Sequence, residues 1–133
     1  MRKVGFELRP REGGGTEFVP LVNGVSLIDL IARYERGEGL DPAGVYSGLV
    51  LDAAAFGSLR KYLLGAPSTQ YALLGCICGD TGCWPLQARI HADADTVTWD
   101  SFHQPHRPER DYSGFGPFVF DRPQYDKALQ LLN

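Results

Sequence analysis

The chain has 133 residues, 44% of them hydrophobic and 22% charged, with a formal net charge of −3. That length is one domain's worth and buries a core without metal or disulfide staples, while the slightly acidic balance gives no electrostatic reason to expect nucleic acid or an anionic membrane as partner. No apolar run approaches the roughly 20 residues of a membrane helix, so the reading is one soluble globular domain over residues 1–133.

Val4, Phe6 and Leu8 alternate with Gly5, Glu7 and Arg9, a period of two that predicts a strand with one wet face. A secretory leader would need an unbroken apolar block in this place, so the expected setting is cytoplasmic. The run Gly13-Gly14-Gly15 lacks the Lys-Ser/Thr of a phosphate-binding loop and reads as a hairpin connection. Phe18 to Val22 forms the second strand, ended by Asn23-Gly24.

Ser26 then caps a helix, with Asp29 three residues on. Leu27, Leu30, Ile31 and Tyr34 make its buried stripe and Arg33, Glu35 and Arg36 face water; Gly37 and Gly39 end it. Val45 to Leu51 reads as a short strand, and a second helix lies within residues 53–64, stopped by Gly65 and Pro67.

Residues 73–86 hold all three cysteines. Gly79-Asp80-Thr81-Gly82 is a turn cluster between apolar runs, which predicts a hairpin pairing Cys78 with Cys83 and Ile77 with Trp84. On that register Tyr71, Leu73, Ile77, Trp84, Leu86, Ala88 and Ile90 share one face, and Cys76, Cys78, Cys83, Gln87, Arg89 and His91 the other. The thiols therefore converge. A turn at residues 92–95 leads into a third strand from Thr96 to Phe102, completing an antiparallel meander over residues 71–102 with Val97 and Trp99 on the apolar face. A polar loop over 103–114 precedes a last strand at Phe118 to Phe120, and Asp121 with Gln124 forms a capping box for a third helix carrying Tyr125, Ala128, Leu129 and Leu132. The fold class is α+β, mostly antiparallel sheet with three helices on one face.

Three thiols on one face make a zinc site if a nitrogen ligand joins them. His91 is out of reach along its strand, whereas the meander returns His103 beside Cys83, with His106 as the alternative. The metal set is thus Cys76, Cys78 and Cys83 with His103 or His106, although the spacing is not a common zinc pattern. Otherwise Cys76 and Cys78 are small buried hydrophobes and Cys83 a turn residue, or Cys78 and Cys83 form a cross-strand disulfide. A thiol enzyme or redox protein using Cys83 with His103 is the rival, but no helix N-terminus or lysine is evident to activate the thiol. In the loop, Arg107 and Arg110 with His103 and His106 are candidates to bind a carboxylate or phosphate, Trp84 and Tyr112 being candidates to line a pocket beside them; the alternative is a solvated connection whose charges Glu109 and Asp111 half cancel. Trp99, Phe102, Phe115, Phe118 and Phe120 fall at positions where aromatics usually form core.

The stretches over residues 74–86, 97–107 and 116–125 resemble a family of small bacterial proteins sharing a Cys-x-Cys-Gly and Trp-Pro-Leu pattern. The resemblance implies a bacterial cytoplasmic setting and carries no activity. The expected function is a binding or interaction module for a protein or small molecule, with the cysteine hairpin structural or zinc-binding.

Overall fold

The structure, a computed structural model, describes residues 1–11, 14–51, 56–65, 69–76 and 85–130. Among these residues the chain forms two antiparallel sheets and three helices, the α+β class expected.

In the smaller sheet β1 (Val4–Pro10) pairs with β2 (Thr16–Val22) without a register break, from Val4 opposite Val22 to Pro10 opposite Thr16. The far edge of β2 takes β3 (Val25–Ser26) at one end and β5 (Leu49–Leu51) at the other. Pro20 lies between those two pairings, where its missing N–H costs no ladder bond. The larger sheet runs β4 (Tyr46–Ser47), β6 (Gln70–Cys76), β7 (Leu86–Ala92), β8 (Thr96–His103), β9 (Phe118–Asp121).

The single strand expected over residues 45–51 is in fact two, divided at Gly48 and shared between the sheets, β4 pairing β6 and β5 pairing β2. The division has a steric cause. A Cβ on Gly48 would stand 2.5 Å from both Glu17 Cγ and the Phe18 carbonyl oxygen, and its N–H donates to Glu17 Oε1 at 2.6 Å. Only glycine lets the backbone pass that close while it changes sheets.

Ser26 caps α1 (Leu27–Gly37) as expected, its Oγ accepting from the Ile28 N–H at 3.1 Å; α1 packs on β2 and β3, and α2 (Phe56–Leu64) on β7. The third helix, α3 (Arg122–Gln130), packs on β1, β8 and β9. Asp121 Oδ2 accepts from the Gln124 N–H at 3.1 Å. The reciprocal half of the capping box is absent among the described residues, because the Gln124 amide bonds instead to both backbone groups of Val4, at 2.9 and 2.7 Å.

Within the meander Leu86, Ala88, Ile90, Val97 and Trp99 share a buried face, as the alternation predicts. The β6–β7 register differs from the turn-based expectation. Tyr71 opposes Ala88, but a bulge then places Leu74 opposite Leu86, and both Leu73 and Leu74 are buried completely. Below this face Trp99 Nε1 donates to the Tyr125 hydroxyl at 3.2 Å, which donates to the Leu63 carbonyl at 2.5 Å, joining β8, α3 and the end of α2. Among the described residues no helix is long and apolar enough to cross a membrane.

Candidate functional site

On α1, Leu27, Ile31 and Glu35 recur every four residues, and all three are 0% exposed. Residues at that spacing lie on one face of a helix, so the expectation that Glu35 faces water with Arg33 and Arg36 is overturned. Its carboxylate is filled with donors. Oε1 accepts from the Gly44 N–H at 2.9 Å, while Oε2 accepts from Tyr46 at 3.0 Å, Tyr112 at 2.6 Å and Arg110 Nη1 at 2.9 Å. The Arg110 side chain is only 5% exposed, and its Nη2 donates to the Pro42 carbonyl at 2.9 Å. A charge taken out of water this completely is tolerated because it is paired and hydrogen-bonded.

The proton inventory sets the orientation of the remaining groups. A tyrosine hydroxyl has one proton, and Tyr46 donates its own to Glu35, so its oxygen accepts from Gln104 Nε2. That turns the Gln104 carbonyl the other way, where Oε1 is buried with no partner among the described residues. Burial pushes the phenols of both Tyr46 and Tyr112 upward from the ordinary tyrosine range, which keeps them protonated as donors. Their oxygens lie 3.3 Å apart because both serve the same carboxylate atom.

Three of these side chains come from residues 104–117, the connection between β8 and β9. Connections longer than about 12 residues without secondary structure are usually functional or disordered. This one is anchored through Gln104, Arg110 and Tyr112, and its backbone also accepts from Tyr34, whose hydroxyl donates to the Asp111 carbonyl at 3.0 Å. Phe115 completes an aromatic cluster with Phe102 at 4.9 Å, Phe118 at 5.2 Å and Tyr34 at 5.5 Å between ring centres.

Against this loop β8 carries one extra residue, since Arg89 opposes Asp100 but Gln87 opposes His103. Ser101, inside the bulge, has φ of 55°, in the left-handed region that non-glycine residues seldom adopt. The bulge and the loop enclose a half-open groove of about 300 Å³, lined by Asp100, Ser101, Phe102, Tyr112, Ser113, Phe115 and Pro117. Phe102, Tyr112 and Phe115 are buried and form its floor, while Ser101 and Ser113 are exposed. Asp100 Oδ1 lies 3.2 Å from His91 Nε2. Nearby, the Ser113 hydroxyl and N–H hold the Asp111 carboxyl below its usual range.

Of the residues singled out from sequence, Cys78, Cys83 and Trp84 lie outside the described residues, as do Ile77, the turn over 79–82 and Leu132. Cys76 ends β6 opposite Tyr46. His103 stands opposite Gln87 with Nδ1 3.2 Å from the Ser101 carbonyl, and His106 is exposed in the following turn. Among the described residues no three His, Cys, Asp or Glu side chains are grouped to hold a metal. Arg110 and Tyr112 do meet, on Glu35, while the Arg107 N–H closes a turn onto the backbone carbonyl of Gln104. Sequence reasoning missed Glu35, Tyr46, Gln104 and the Asp100–Ser101 bulge. The spacing of Glu35 from Ile31 was the one available signal. No protein-family model matches this chain, and no curated protein or solved structure matches it either.

Proposed function

We propose that this chain is a small binding module whose ligand site is the groove between the β8 bulge and the loop over 104–117. The observation that carries this reading is a cavity of about 300 Å³ whose floor joins Phe102 of β8 to Tyr112 and Phe115 of a loop fastened by a buried ion pair. A site held in shape before binding loses less entropy on occupation, and the volume falls at the small end of ligand pockets.

The lining names the ligand chemistry. Phe102, Tyr112 and Phe115 offer ring surface, Ser101 and Ser113 offer hydroxyls, and Asp100 supplies the only formal charge among the lining residues. That combination favours a compact molecule with an apolar or ring body and a protonated amine. A carboxylate or phosphate would meet Asp100 with like charge. Titration of 15N-labelled protein with an aromatic amine, and with the matched carboxylic acid, tests this. The amine should shift the amides of Ser101, Phe102, Ser113 and Phe115, and Asp100→Ala should weaken it by about tenfold, the worth of one charge-assisted hydrogen bond. Equal binding of the acid, or shifts confined to other parts of the chain, would refute the assignment.

A second reading retains the cysteines, because Gln87, four residues after Cys83 in the chain, stands opposite His103. In it Cys76, Cys78 and Cys83 with His103 bind zinc, and a thiol-dependent reaction at Cys83 is its variant. Native mass spectrometry of untagged protein before and after chelation decides the metal. A Cys83 that reacts with iodoacetamide only near an ordinary thiol pKa of about 8.5 has no activated nucleophile.

A further inference from the structure

The outer edge of β1 is closed at one point and open beyond it. Val4 gives its N–H to Gln124 Oε1 and takes a bond from Gln124 Nε2, so a side-chain amide of α3 stands there in place of a neighbouring strand. Alternate residues of a strand direct their backbone groups to the same side, and Phe6 and Leu8 therefore present theirs on the side of Val4. Among the described residues these groups have no partner. Pro10 ends the edge by lacking an N–H. Within this short window Leu8 is 39% exposed, one of few large apolar side chains that are.

We propose that the β1 edge is a docking surface for a second copy of this chain, pairing antiparallel about a two-fold axis through Leu8. The pattern of charge selects that partner and that register. Two symmetric registers fit the window, one centred on Glu7 and one on Leu8, and each would form about four main-chain hydrogen bonds. Centring on Glu7 sets two glutamates face to face, which destabilises a strand pair. Centring on Leu8 sets Glu7 of each copy against Arg9 of the other, and Leu8 against Leu8. Glu7 and Arg9 now pair with one another at 3.0 Å with side chains 46% and 41% exposed, so both can turn to a partner without leaving a buried position. Contact across so short an edge falls well under the roughly 1,200 Å² of a stable interface, and the dimer is accordingly weak.

Sedimentation of the full chain between about 10 μM and about 1 mM reads it directly, because an interface at the low end of the size range belongs with weak, transient association. The expected result is a rise from monomer toward dimer and no further. Glu7→Lys and Arg9→Glu should each abolish the rise, with circular dichroism unchanged, because both sites are on the surface. An equimolar mixture of the two variants should restore it. The lysine introduced in one copy then meets the glutamate introduced in the other, and the unchanged Arg9 of the first meets the unchanged Glu7 of the second. A monomer throughout, a dimer that both variants leave intact, a mixture that fails to associate, or growth beyond two copies would each overturn the proposal.

Discussion

Removing the Glu35 carboxylate should be among the most damaging single changes in the chain. Glu35→Ala withdraws the acceptor from four donors at once, namely Gly44 N–H, Tyr46, Tyr112 and Arg110. The largest loss comes from the guanidinium. With its side chain 5% exposed, Arg110 becomes an unpaired buried charge, and breaking such a pair costs about 3–5 kcal/mol. That is a large share of the roughly 5–15 kcal/mol holding a domain folded, and it corresponds to a fall in Tm of about 10–20 °C at this chain length. Glu35→Gln should fare little better, because an amide nitrogen would confront hydrogen-bond donors. Urea denaturation of Glu35→Ala, Arg110→Ala and the double variant gives the measurement. The double variant should be less destabilised than the sum of the singles by about 2 kcal/mol or more, since it no longer buries an orphaned charge. A loss below about 1 kcal/mol for Glu35→Ala, the size of an ordinary surface change, or additive singles, would refute the view that this ion pair anchors the loop.

The other expectations concern the sheet crossing and alkaline stability. Gly48→Ala should destabilise by more than about 2 kcal/mol, as overpacking against backbone does, whereas Gly37→Ala, whose added Cβ meets nothing within 4 Å, should be neutral or mildly stabilising. Similar urea midpoints for both would remove Gly48 as the reason the strand divides. Burial pushes the Tyr62 phenol up to about 12, from 10.0. Its native form therefore keeps a proton that the unfolded chain has released, so stability is intact below pH 10 and falls as pH rises toward 12. The raised Tyr46 and Tyr112 phenols act in the same direction, so Tyr62→Phe should lessen that slope in urea titrations by one proton's share and leave the rest; an unchanged slope would exclude Tyr62 as a contributor.

Much of the architecture was legible because its signals are local. Ser26 caps its helix through its own hydroxyl two residues away, and the alternation of Leu86, Ala88 and Ile90 marks a buried face whichever strand lies beside it. The candidate site was much less legible. Arg110 and Tyr112 could be named as functional candidates, but their partner could not, because Glu35 is 75 and 77 residues away in the chain. A glutamate near the end of an amphipathic helix is ordinarily solvated.

The amino-acid order by itself determined roughly where the three helices and most of the longer strands lie, and which side of most of them is apolar, since hydrogen-bond capping and side-chain periodicity act over a few residues. The three-dimensional packing decided which carboxylate is buried, where a strand divides between two sheets, and which side chains enclose a cavity. Those outcomes depend on groups brought together from distant parts of the chain. The physical reason is that burial raises the cost of an unmatched charge or polar group, so the role of Glu35, Gly48 or Gln124 is set by what stands opposite it.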